Sequence, residues 1–299
     1  MKTLKPFVFL LPMAAAVSLQ AQNALDNYQS YNLNDNLSTP LTGGSGWNGS
    51  WVTANATTAS GVVSDTSPLA LGANQYLKLD LANSTGGQAM GIGRQLASGA
   101  PIGNYTVSFL WRVDTLGTFT TSNDRFEIYS SSSAATVNGA GPGANNLTSP
   151  YLMGVFGASR GVNYTTGGMF GVYASPTVNA AFAGDNYYNL GSVATGGNGT
   201  TLALVEGTTY SITIDVFSDT QKWNVSVSDG VTTAFSTGLN WWGSNTQPFI
   251  GFGARGDTGG ETRSFSIDDI QVAAVPEPGC VTLLALSGIG ALILRRRRL

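Results

Sequence analysis

Tyr105-Thr106-Val107-Ser108-Phe109-Leu110-Trp111-Arg112-Val113-Asp114 is the stretch that decides the fold. Its odd positions are all apolar, Thr106, Ser108, Arg112 and Asp114 point the other way, and Leu110 is the one misfit. A period of two places alternate side chains on opposite faces of an extended strand, so one face belongs to a core and the other to water. The alternation returns in Thr209 to Phe217, with Tyr210, Ile212, Ile214 and Val216 inward. Trp223, Val225 and Val227 repeat it up to Asp229-Gly230, after which Val231 to Phe235 is expected to run back. Asp-Gly between two such runs predicts a hairpin, because both residues tolerate positive φ. Shorter runs at Tyr76 to Leu81, Arg125 to Tyr129, Tyr151 to Phe156, Met169 to Tyr173 and Phe249 to Ala254 read as further strands. Nothing between residues 22 and 275 has a long helical period. Many strands joined by Gly-rich turns predict an all-β protein, an antiparallel β-sandwich of the jelly-roll kind.

Two short segments flank this body. Residues 1–21 read as a signal peptide: Lys2 and Lys5, an apolar run from Phe7 to Val17, then Ser18, Gln20 and Ala21. Residues 276–299 begin with Pro276-Glu277-Pro278, continue through mostly apolar positions from Cys280 to Leu294, and end on Arg295, Arg296, Arg297, Arg298 and Leu299. As a helix the apolar part reaches about 22 Å, short of the ~30 Å hydrocarbon core of a bilayer. Successive arginines stay in the cytoplasm by the positive-inside rule, which places the body outside. One domain, residues 22–275, remains between the two segments.

Composition narrows what that domain does. Charged residues make up 10% of the chain and glycine contributes 39 positions, which excludes coiled coils and helical bundles. The body carries 8 basic and 16 acidic residues, so nucleic acid is not an expected partner. It has no histidine, and the single Cys280 lies in the tail, which removes Ser-His-Asp, Cys-His and most zinc chemistry. Glycoside hydrolysis needs two carboxylates flanking the bond. In Asp124-Arg125-Phe126-Glu127 the two acids are out of phase on a strand, and the segment reads as an ordinary strand entry. Lys222 beside Trp223 reads as a solvated edge lysine.

Aromatic pairs are the candidate sugar platforms. Adjacent residues cannot both face the core of one regular strand, so one member each of Trp241-Trp242 and Tyr187-Tyr188 is expected at the surface. Trp47 and Trp51 read as core. In the closing segment Phe265 and Ile267 set an odd inward phase, yet Ile270 and Val272 are even. The phase slips at Asp268-Asp269, which predicts a β-bulge there.

The Pro276-Glu277-Pro278 triplet, the short apolar helix and the arginine cluster, together with a signal peptide, resemble the PEP-CTERM sorting signal of exported bacterial proteins. The resemblance covers the last 24 residues. It implies handling by the secretion machinery and an exosortase, transient anchoring through a short transmembrane helix, and residence in a Gram-negative cell envelope or extracellular polysaccharide matrix. Gly43-Gly44-Ser45-Gly46-Trp47-Asn48-Gly49-Ser50-Trp51 and Phe265-Ser266-Ile267-Asp268-Asp269-Ile270-Gln271-Val272 resemble the opening and closing segments of concanavalin A-like, laminin G-like domains. Carbohydrate-binding jelly rolls often close on a similar Ile-Asp-Asp strand whose aspartate helps bind structural calcium, and the resemblance makes Asp268 and Asp269 candidate calcium ligands. Three functions stay open: a non-enzymatic structural protein of the envelope or matrix, a carbohydrate-binding module gripping exopolysaccharide, and more distantly a matrix glycosidase. The missing catalytic constellations favour the first.

Overall fold

The computed structural model describes residues 24–54, 59–69, 75–83, 88–121, 123–132, 149–178, 186–256 and 261–275. The expected signal peptide, residues 1–21, and the expected sorting motif Pro276, Glu277, Pro278 and Arg295 to Arg298 lie outside the described residues. Two antiparallel sheets face each other. The first runs β13 (Thr233–Asn240), β12 (Lys222–Ser228), β11 (Thr209–Phe217), β6 (Tyr105–Thr115), β15 (Glu261–Ala274), β4 (Tyr76–Asn83), β3 (Ala59–Ser64). Beyond the end of β4, the free edge of β15 pairs with β1 (Ala24–Asp26). The second sheet runs β10 (Tyr187–Asn189), β9 (Phe170–Tyr173), β8 (Leu152–Phe156), β7 (Arg125–Ser131), β14 (Phe249–Gly256), β5 (Gln88–Leu96), β2 (Trp47–Ala54). The expected antiparallel sandwich is therefore observed.

The alternating stretch forms the centre. β6 buries Val107, Phe109, Trp111 and Val113 toward the second sheet. Trp111 meets Phe126 of β7 at 5.6 Å and Phe170 of β9 at 5.8 Å between ring centroids, both edge to face. Phe109 meets Phe252 of β14 in the same way at 5.1 Å. Such contacts add to the area term and fix how the sheets sit on one another; deleting a ring like Trp111 costs about 3–5 kcal/mol.

The Asp229-Gly230 hairpin forms, with a longer turn than expected. Asp229 Oδ1 accepts hydrogen bonds from Val231 N at 2.9 Å and Thr232 N at 2.7 Å, which holds Val231 in solvent and starts β13 at Thr233. Lys222 is not on an edge: β13 flanks it, and its Nζ donates to Asn240 Oδ1 at 2.5 Å. The bulge also forms. Asp268 pairs with Leu110 and Gln271 with Ser108, so β15 holds one residue more than β6, and Asp269 takes up the excess at φ +48°.

The glycines of the opening motif have a packing reason. Gly44 has φ +76°, and a Cβ there would meet Leu25 O at 2.5 Å. A side chain is excluded where this segment crosses β1. At the end of β1, an ion pair ties the two sheets. Asp26 Oδ2 accepts from Arg94 Nη1 at 2.5 Å, Tyr31 Oη at 2.8 Å and Trp51 Nε1 at 3.0 Å, all buried. Burial nevertheless raises the Asp26 carboxyl above the usual range, outweighing the lowering by Arg94.

Candidate functional site

The proposed aromatic platforms are not at the surface. Trp241, Trp242 and Tyr187 are buried, and Tyr188 is half-buried. The physical reason is that the second sheet carries apolar clusters on both faces. Trp241 joins the core between the sheets, while Trp242 and Tyr187 join a second cluster with Tyr129, Leu152, Phe156, Tyr164 and Tyr173. The Arg160 guanidinium lies 4.5 Å over the Tyr187 ring and 4.7 Å over Phe156. Neighbours facing opposite ways thus both find apolar surroundings. Trp51 is core as expected, and Trp47 packs half-buried against it.

The acids of the Asp124 to Glu127 segment form two buried ion pairs. Asp124 Oδ1 accepts from Arg263 Nη2 at 2.7 Å, and Arg125 Nε lies 2.9 Å from Glu127 Oε1. The segment begins β7 as the sequence implies, but its charges are internal.

At the bulge the two aspartates part. Asp269 is exposed, while Asp268 is buried, with Oδ1 accepting from Asp269 N at 2.8 Å and Oδ2 accepting from none of the described residues. Burial, with repulsion from Asp269 and Asp26, pushes the Asp268 carboxyl up to about 7. An orphaned buried oxygen calls for a proton or a cation. Asp26 is committed to Arg94, and among the described residues no three acidic side chains gather as a metal group. A calcium ion here would take one side-chain oxygen from Asp268 and the rest from main-chain carbonyls and water.

An open polar groove lies on the outer face of the first sheet. Because Leu77 and Leu79 of β4 point inward, Tyr76 and Lys78 point outward; the same logic turns Arg112 and Asp114 of β6 and Ser266 of β15 to that face. Lys78, Ser266, Arg112 and Thr209 stand in register across four strands. The groove encloses about 430 Å³, lined by Tyr76, Lys78, Arg112 and Asp114 with Ser64, Thr66, Ser67 and Glu206. Arg112 is held rigidly: Nε donates to Asp114 Oδ1 at 2.6 Å, Nη1 donates to Ser67 O at 2.8 Å, and the guanidinium lies 5.4 Å over the Tyr76 ring. Asp114 Oδ2 accepts from Ser266 Oγ, and Glu206 Oε2 accepts from Leu116 N at 3.0 Å. Arg112 Nη2 and Glu206 Oε1 have no hydrogen-bond partner among the described residues, leaving a donor nitrogen and an acceptor oxygen for a polar ligand. The alternation at Tyr105 to Asp114 placed Arg112 and Asp114 outward; a concentration of charge at outward positions of β4 and β6, in a chain with so little charge, is the signal that would have marked the groove.

No family model matches the sequence, and no curated protein matches it. Among solved structures the chain is similar to lectin II from Ulex europaeus, at 11% identity over 82% of this chain and 99% of that one, with a TM-score of 0.43. It is similar to the Emp47p carbohydrate recognition domain at 10% identity, covering 85% and 96%, TM-score 0.48. The legume lectin-like domain from Entamoeba histolytica gives 10%, 74% and 92%, TM-score 0.40. Scores at this level assign no ligand to the present chain.

Proposed function

We propose that the protein is an exported, non-catalytic component of the cell envelope or extracellular matrix, sorted through its PEP-CTERM tail, and that it holds matrix polysaccharide in the Arg112 groove. The observation that carries the binding half is the pre-set guanidinium at the groove floor. Its rotamer is fixed by Asp114, Ser67 and Tyr76, so a sugar hydroxyl meets Nη2 with little ordering left to do. The groove is open and polar, as a site for a hydrated ligand must be. Hydrolysis is disfavoured by the same contacts: Asp114 has both oxygens engaged, which leaves Glu206 without a second free carboxylate. The sorting half rests on the Pro276-Glu277-Pro278 and Arg295 to Arg298 sequence. A structural calcium on Asp268 fits an extracytoplasmic protein and belongs to stability rather than to sugar contact.

A glycan array probed with the purified protein tests the reading. Neutral polysaccharides should be retained, and Arg112→Ala should abolish retention while leaving the far-ultraviolet circular dichroism spectrum unchanged. Retention that survives Arg112→Ala places the ligand elsewhere.

A further inference from the structure

We propose that the groove is one half of a longer track, built for an extended, uncharged polysaccharide chain rather than for a single sugar or a chain end. The inference rests on the binding reading above and concerns the ligand's length and class. A second depression of about 320 Å³ lies on the same face, lined by Leu25, Ser108, Leu110, Ser211, Thr213 and Gln271, with Asp269 at its rim. The two share β6 as floor: Arg112 and Asp114 serve the groove, Ser108 and Leu110 the depression. Arg112 and Leu110 are two residues apart on the strand, about 7 Å, and Leu110 stands in register with Ser211 and Asp268.

A row of polar side chains at strand spacing crosses the second depression and runs on to β12. Ser226, Thr213, Ser108 and Gln271 stand opposite one another across β12, β11, β6 and β15, roughly 5 Å apart. The row ends on exposed apolar side chains, Phe235 on β13 and Leu25 on β1. On the neighbouring strand β11, Thr209 continues the line from Ser211 back to Arg112. The side chains of Ser108, Ser211, Thr213, Ser226 and Gln271 make no hydrogen bond with any described residue, whereas the adjacent Thr106 Oγ1 donates to Asp215 Oδ1 at 2.7 Å. A row of unengaged hydroxyl and amide groups on a sheet offers hydrogen bonds to a ligand that repeats along its own length.

Charge selects the class. The only ionisable side chain of the second depression is Asp269, and acids outnumber bases two to one in the body, so a polyuronate would be repelled. A neutral polymer meets no such barrier, and apolar ends at Phe235 and Leu25 suit the C–H faces of sugar rings.

Isothermal titration of the purified protein with β-glucan fragments from disaccharide to octasaccharide, with alginate as the polyanion control, tests this. The octasaccharide should bind about tenfold more tightly than the disaccharide. Thr213→Arg, placed on the outer face away from the core, should erase that gain and leave disaccharide affinity unchanged. A flat length series with measurable disaccharide binding overturns the track and spares the Arg112 groove. Absence of binding to every fragment overturns both. Alginate binding as tightly as the octasaccharide overturns the assigned class, and a dimer that dissociates in Thr213→Arg would make this face an interface between copies instead.

Discussion

Replacing Arg94 by methionine isolates one of the buried ion pairs that tie the two sheets. The substitution keeps an unbranched apolar stem but removes four hydrogen bonds: Nη1 to Asp26 Oδ2 at 2.5 Å, Nη1 to Tyr31 Oη at 3.0 Å, and Nε and Nη2 to Gly49 O at 3.2 and 3.0 Å. What remains is a fully buried carboxylate whose partners among the described residues are Tyr31, Trp51 and a main-chain amide. Breaking a buried pair from one side costs about 3–5 kcal/mol, mostly the cost of the charge left behind. For a body of this size that lowers the melting temperature by roughly 10 °C. The sign of the pH dependence follows. Without Arg94 the Asp26 carboxyl, already raised, rises further, so the folded variant prefers it protonated. Stability of the variant is then retained in acid and lost as pH climbs, making the deficit larger at pH 8 than at pH 5. The companion Asp26→Asn/Arg94→Met removes both charges and should recover part of the loss. Thermal unfolding followed by circular dichroism at the two pH values reads all of this. A deficit below about 1 kcal/mol, equal at both pH values, would refute the reasoning.

Further expectations concern the bulge, the aromatic pair and the tail. Asp268 holds its proton to about pH 7 when folded and only to about pH 4 when unfolded, so stability present below pH 4 is lost as pH rises to 7, by on the order of 2 kcal/mol after solvent screening. Asp268→Asn should flatten that dependence; calcium added at pH 8 should raise the melting temperature of the wild type and not of the variant, and identical melting with calcium and chelator would remove the ion from the account. Trp242→Ala should cost about 3–5 kcal/mol and leave polysaccharide affinity unchanged, because its ring packs on Tyr173 at 4.8 Å between centroids; loss of binding without loss of stability would restore it as a platform. Mass spectrometry of the mature protein from its host should find no peptide beyond the Pro276 region, and intact Arg295 to Arg298 in most molecules would contradict sorting.

The sequence was most legible where one face of a strand is dry and the other wet. β6, β11 and β12 alternate cleanly for that reason, and the slip at Asp268-Asp269 announced its bulge because a two-residue period has no other way to change phase. Strands of the second sheet were harder to read. β5 alternates Gly91 and Gly93 with Ile92 and Arg94, and β7 is buried from Arg125 to Ser131, so neither shows an apolar-polar beat. The same double coverage explains Trp241-Trp242: the expectation of one exposed ring assumed a sheet wet on one side. Arg94 and Asp26 could not be paired from sequence because 68 positions separate them and only the strand order brings β1 beside the entry to the core. The groove was half legible, since the period placed Arg112 and Asp114 outward while Tyr76, Ser67 and Glu206 arrive from β4 and from loops.

The central claim is that polysaccharide lies on the outer face of the first sheet against Arg112. Amide chemical-shift mapping of the isotope-labelled protein during titration with β-glucan octasaccharide tests it most directly. The account predicts shifts concentrated at residues 64–67, 76–78, 108–114, 206–213 and 271. Shifts concentrated instead at residues 127–129, 171–173, 187–188 and 241–242 would put the ligand on the opposite sheet and contradict it.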